Sequence, residues 1–78
     1  MNAGLLYAPR PARVRVGQNG RPLAVAGIAV DAVREEWVVE DRWWSAHSIA
    51  RHYFEVALTD GRCEVLFRER GRWFSQRA

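Results

Sequence analysis

The sequence predicts a mainly β domain, a small antiparallel meander closing into a partly open barrel or a two-layer roll. Three observations carry this. Apolar residues recur at period two in two separate stretches. Glycine-containing turn pairs, Asn19-Gly20, Asp60-Gly61 and Arg70-Gly71, divide those stretches. The carboxy-terminal strands carry apolar groups on both faces, so a sheet built from them needs a second covering layer. A chain of 78 residues suits a single core and buries only about 60 to 65% of its unfolded surface. One domain is therefore expected over residues 12–78, with residues 1–11 as a flexible lead-in.

The elements follow in order. Pro9 and Pro11 disfavour helix and remove ladder donors, which suits a loose lead-in. From Ala12 the period becomes two. A two-residue loop at Asn19-Gly20 would pair Gln18 with Arg21, Val16 with Leu23 and Val14 with Val25, all on one face. Pro22 lacks an N–H and so belongs at a bulge or an edge. Ile28 and Val30 suggest a short strand after Gly27, followed by an acidic turn and a further strand at Trp37-Val38-Val39. The stretch 45–51 has room for one or two helical turns, although no capping pattern selects helix over an extended connection. Beyond it, a two-residue loop at Asp60-Gly61 would pair Leu58 with Cys63, Val56 with Val65 and Phe54 with Phe67. A second at Arg70-Gly71 would set Phe74 against Phe67 and Trp73 against Arg68. These turns give strands over 51–59, 62–69 and 72–76, with Leu66 and Trp73 on the face opposite Phe67.

All twelve basic residues are arginine, and the net charge is +3. The charges are segregated along the chain. Residues 1–30 hold Arg10, Arg13, Arg15 and Arg21 with no acid, residues 31–41 hold Asp31, Glu35, Glu36, Glu40 and Asp41 against Arg34, and arginine is again in excess thereafter. Such segregation allows one basic and one acidic surface, although distance along the chain does not fix distance in space. Arginine also suits phosphate and carboxylate through its planar, bidentate fork.

No catalytic set is legible. The acids lack any residue pattern that would fix their separation or exclude water, which reads as a solvated loop rather than acid–base or Mg²⁺ chemistry. His47, His52 and Cys63 are too few for a closed zinc site, and Cys63 reads as a small inward residue against Leu58. Ser45 and Ser48 near His47 lack the oriented base and oxyanion site of a triad. The reading is of a binding module that is not an enzyme and uses neither metal nor cofactor. No apolar run reaches the roughly 20 residues of a membrane span, and residues 1–9 lack the features of a secretory signal, so a cytoplasmic protein without a membrane partner is expected.

Two groups of residues are candidates for binding. Trp37, Arg42, Trp43 and Trp44 form the first. Neighbouring residues on a strand point to opposite faces, so one tryptophan of the pair can enter the core while the other serves as a protein anchor or a base-stacking platform; simple packing of both is the other reading. Arg42 can cover an indole in either case. Arg68, Arg70, Arg72 and Trp73 form the second, with guanidiniums for phosphates beside a ring for a base, as contact with single-stranded DNA or RNA requires. Because Glu64 and Glu69 dilute the patch, a solvated turn with local ion pairs and contact with an acidic protein surface are the other readings.

The run Trp37-Val-Val-Glu-Asp-Arg-Trp-Trp44, the passage from Tyr53 to Asp60-Gly61-Arg62, and Glu69-Arg-Gly-Arg-Trp-Phe74 carry a likeness to a known family. With Arg21-Pro22-Leu23-Ala24-Val25, the chain over residues 12–76 resembles the short carboxy-terminal module of inactive Y-family DNA polymerase homologues of bacterial mutagenesis cassettes. Related small free-standing proteins share the pattern. Glu40-Asp41 and Phe74 depart from it, standing where Asp-Glu and a second tryptophan are usual. The resemblance implies a non-catalytic protein-interaction module in a DNA-repair or translesion-synthesis assembly, with a protein of the mutagenesis complex as partner. Single-stranded nucleic-acid binding through arginines and exposed tryptophans is the alternative.

Overall fold

The computed structural model describes residues 9–41 and 49–76. Among the described residues there are seven antiparallel strands: β1 (Arg10–Pro11), β2 (Val14–Val16), β3 (Pro22–Val25), β4 (Ile28–Asp41), β5 (Ile49–Leu58), β6 (Cys63–Glu69) and β7 (Arg72–Gln76). Their order in the sheet is β1-β7-β6-β5-β4-β3-β2. Because β1 and β2 are consecutive in the chain, one short stretch supplies both ends of the sheet. Arg10 and Pro11 pair with Ser75 and Phe74 of β7, the Ala12 N–H donates to the Trp73 carbonyl at 3.0 Å, and the Ala26 N–H donates to the Arg13 carbonyl at 2.8 Å. The meander thus curls into a partly open half-barrel. The strand begins at Arg10, inside the expected lead-in, and Pro11 is tolerated because it lies at the margin of the sheet.

Two kinds of glycine turn set the register. Ala26-Gly27 and Arg70-Gly71 are two-residue loops with all four residues at positive φ, and they pair Val25 with Ile28 and Glu69 with Arg72. At the other two sites the loop holds three residues. The Gly17 N–H donates to the Arg21 carbonyl and the Leu58 N–H to the Arg62 carbonyl, with Gly20 and Gly61 in the left-handed region at φ 81° and 92°. In both, the side chain before the glycine accepts the N–H of the following arginine, Asn19 from Arg21 and Asp60 from Arg62, each at 3.0 Å. This local bond favours the longer loop.

The extra loop residue has different consequences at the two sites. In the first hairpin it sets Val16 opposite Pro22 instead of Leu23, and a bulge then restores the expected Val14–Val25 pair. Pro22 sits at that bulge. In the second hairpin no bulge compensates. Phe54 faces Leu66, Val56 faces Glu64 and Cys63 faces Ala57, so the expected Phe54–Phe67 register is wrong by one residue. A one-residue slip reverses every side chain of a strand. Phe54 and Phe67 accordingly lie on opposite faces, and Cys63, expected inward, is exposed.

Two further expectations are corrected. The acids of residues 31–41 belong to the fourteen-residue strand β4 rather than a turn or loop, held by pairing with β5 that shifts register at Asp31 and Arg34 and then runs unbroken to Asp41–Ile49. Ile49, Ala50 and Arg51 begin β5, so the carboxy end of the possible helix is extended; residues 45–48 lie outside the described residues.

The core lies inside the curl, where Val25, Phe54, Val56, Leu58 and Leu66 are buried. Trp73 packs against it, its ring 5.5 Å from that of Phe54, while Phe67 is buried on the outer face with 2% exposure. Apolar burial on two faces supplies part of what a chain too small for a large core lacks.

Candidate nucleic-acid interface

The observed register aligns four rings on the outer face, one from each of β4, β5, β6 and β7. Trp37 stacks on Tyr53 with centroids 5.2 Å apart and planes 2° from parallel. Tyr53 meets Phe67 at 5.1 Å, and Phe67 stacks on Phe74 at 5.0 Å. Such cross-strand pairs are worth about 0.5–1.5 kcal/mol each beyond their area. The Arg51 guanidinium lies 4.8 Å from the Phe67 centroid and donates to the Tyr53 hydroxyl at 3.4 Å and to Glu69 at 2.6 Å. Those two acceptors, Tyr53 first and Glu69 next, raise the Arg51 pKa above its ordinary value. Arg51 is therefore a fixed cover for the ladder.

Three arginines are neutralised locally. Arg21 pairs with Glu36 at 3.1 Å, Arg51 with Glu69, and Arg62 with Asp60 at 2.8 Å. The Arg62 backbone N–H first, and its side chain after it, hold the Asp60 carboxyl below the ordinary carboxylate value. Glu36 also meets His52 at 2.6 Å, and His52 stacks on Phe54 at 4.4 Å.

The arginines without an acidic partner among the described residues are distributed unevenly. Arg10, Arg13 and Arg15 lie along β1, β2 and their junction, and Arg68, Arg70 and Arg72 lie on the β6–β7 hairpin. Since β1 pairs with β7 and β7 with β6, Arg10 lies on a strand adjoining the hairpin, and Arg13 follows just after the Ala12–Trp73 bond. Arg15, on β2 at the other end of the strand order, and Arg34, on β4, lie apart from them.

The structure brings the predicted set Arg68, Arg70, Arg72 and Trp73 onto one hairpin, although not onto one face. Arg68 is directly across from Trp73, its guanidinium 5.7 Å from the ring centroid on the inner face. Arg72 shares the outer face with Phe74. Arg70 is exposed at the tip, where its φ of 52° is sparsely populated by residues with a Cβ. Each face of the hairpin thus offers one arginine beside one half-buried ring. Of the predicted protein-contact residues, Trp37 is 37% exposed at the β4 end of the ladder, away from this hairpin. Arg42, Trp43 and Trp44 lie outside the described residues.

Sequence reasoning missed the ring ladder and the placement of Arg10. The ladder was hidden by the one-residue register error, and the pairing of Arg10 with β7 by reading residues 1–11 as a flexible lead-in. The Asn19 and Asp60 side chains ahead of Gly20 and Gly61 were the available signal for the longer loops.

Among the described residues, no group of three or more His, Cys, Asp and Glu is placed to hold a metal ion. No described helix is long and apolar enough to cross a membrane. No protein-family model, curated protein or solved structure matches the chain.

Proposed function

We propose that this domain binds single-stranded nucleic acid along the β6–β7 hairpin and the adjoining β1. The observation that carries this reading is the gathering of Arg10 on β1, Arg13 just after it, and Arg68, Arg70 and Arg72 on the β6–β7 hairpin that β1 adjoins, none paired with an acid among the described residues. Arg68, Arg70 and Arg72 hold phosphates, Arg10 and Arg13 extend the basic track, and the exposed parts of Trp73 and Phe74 contact bases. Guanidiniums beside rings suit a flexible single strand whose bases are free to stack.

The test is a titration of a labelled oligothymidylate from about 25 to 200 mM salt. Three phosphate contacts on a single strand give a log–log slope of about −2, or roughly 80-fold weaker binding over that range. Arg70→Glu should weaken binding strongly, and Arg34→Glu, on the distant β4, should not. Absence of binding at the lowest salt, or equal loss with both variants, would reject the reading. The resemblance to the mutagenesis-cassette module supports a narrower proposal, that the strand is DNA exposed during damage tolerance and that a mutagenesis protein is a second partner. Failure of every such component to co-purify at low salt would remove that narrower proposal and leave nucleic-acid binding standing.

A further inference from the structure

On the opposite side of the strand order from the arginines, β4 has an open edge. It pairs with β3 only through Ile28 and Ala29, but with β5 as far as Asp41. Among the described residues, no strand lies against its other edge from Val30 onward. The first part of that edge is disturbed by register shifts at Asp31 and Arg34, whereas Glu35 to Asp41 run in unbroken register. Bulges protect an edge from further pairing; a regular segment leaves its outward backbone donors and acceptors ready for another strand. At the centre of the regular segment, Trp37, Val38 and Val39 are 37%, 58% and 46% exposed. Acids flank this centre, Glu35 and Glu36 before it and Glu40 and Asp41 after it. Glu36 is engaged by Arg21 and His52, while Glu35 has no ion-pair partner among the described residues.

We propose that the β4 edge from Glu35 to Asp41 takes up an extended peptide by strand addition, and that this peptide has an apolar centre with arginine or lysine on both flanks. Backbone hydrogen bonds supply the common part of such binding, and alternate side chains supply the selection. A second copy of this chain is the wrong occupant. Antiparallel self-pairing centred on Val38 sets Glu36 against Glu40 and Glu35 against Asp41, and like charges directly opposite destabilise a sheet. Basic flanks reverse the sign of those contacts. The centre is selected by the ladder, for Trp37 ends the ring series with its Tyr53 side occupied. An aromatic residue opposite it, with Cβ atoms about 4.5–5.5 Å away, would extend the series by one ring.

The full-length chain, labelled for amide NMR, would be titrated with the capped heptapeptide Arg-Arg-Val-Ile-Phe-Arg-Arg, which places Phe beside Trp37 when antiparallel. Saturable shifts at Glu35 to Asp41 and their β5 partners are expected, with binding about tenfold weaker when the arginines are replaced by glutamate. Two further versions, N-methylated at odd or at even positions, keep the side chains but remove alternate backbone donors; one of them should lose binding. Glu35→Arg should weaken binding severalfold in a chain whose spectrum remains folded. Equal affinity for the glutamate peptide, equal binding by both N-methylated versions, or shifts centred on the β6–β7 hairpin would overturn the proposal. So would loss of peptide binding in Arg70→Glu, since the nucleic-acid surface proposed above is separate.

Discussion

The register of β5 against β6 decides which residues form each face, and a double-mutant cycle tests it. Phe54 and Phe67 are 1% and 2% exposed. Truncation of either to alanine would cost about 3–5 kcal/mol. A domain of this length has about 4–12 kcal/mol in all at 0.05–0.15 kcal/mol per residue, so the double alanine variant would unfold. Leucine is the better probe, at about 1 kcal/mol per site. Phe54 contacts the rings of His52 and Trp73, whereas Phe67 contacts those of Tyr53 and Phe74, so they share no ring partner. Phe54→Leu and Phe67→Leu should therefore add to within about 0.5 kcal/mol. Tyr53→Leu with Phe67→Leu, on the shared outer face, should show coupling of about 0.5–1.5 kcal/mol. Urea unfolding measures both cycles. With a slope near 1 kcal/mol/M, each single change moves the midpoint by about 1 M. Coupling above about 1 kcal/mol between Phe54 and Phe67, with none between Tyr53 and Phe67, would restore the alternative register and refute the two-faced sheet.

Ala26, at φ 50° ahead of Gly27, should accept asparagine with a gain of about 0.5–1 kcal/mol, because asparagine tolerates the left-handed region; a higher urea midpoint would show it. Arg70→Asn relieves the same strain at φ 52° and should raise stability by a similar amount, while weakening oligothymidylate binding in the salt titration. A loss of stability there would mean that Arg70 supports the turn through its side chain. Asp60 has a depressed folded pKa, against an ordinary value of 3.8, so its contribution is present above that value and fades as pH falls through the folded pKa. A carboxyl NMR titration should find a midpoint below 3.8, and Asp60→Asn should flatten the acid side of the stability profile.

Much of the fold was legible because period-two patterning and glycine turns are local properties. Arg70-Gly71 gave the right register at once: Phe67–Phe74 and Arg68–Trp73 are paired as expected. Asp60-Gly61 did not, because a glycine marks a left-handed position without stating how many residues precede it in the loop. The Asp60 side chain decided that by accepting the Arg62 N–H. The Pro22 bulge corrected the same error in the first hairpin, but nothing comparable interrupts β5 and β6. The continuity of β4 was also hidden. Its acids read as a turn, yet partners on β5 hold them in an extended strand, a tertiary effect that outweighs the low strand preference of Asp and Glu.

The same two links, loop length and strand order, turn a segregated charge pattern into separate surfaces. Four arginines before residue 31 and seven after residue 41 are far apart in the chain, and no local rule joins them. Pairing of β1 with β7 brings Arg10 beside the arginine-bearing hairpin, while the strand order leaves the acids of β4 beyond β6 and β5. Local ion pairs then remove Arg21, Arg51 and Arg62 from the basic set. A net charge of +3 therefore understates the local field at the β6–β7 hairpin, where Arg68, Arg70 and Arg72 have no acidic partner among the described residues and Arg10 adjoins them through β1. An anionic strand and a basic peptide can then be attracted to different strands of the same small domain. Between those strands, the aromatic ladder supplies a rigid apolar connection whose two ends, Phe74 and Trp37, meet the basic and the acidic side respectively.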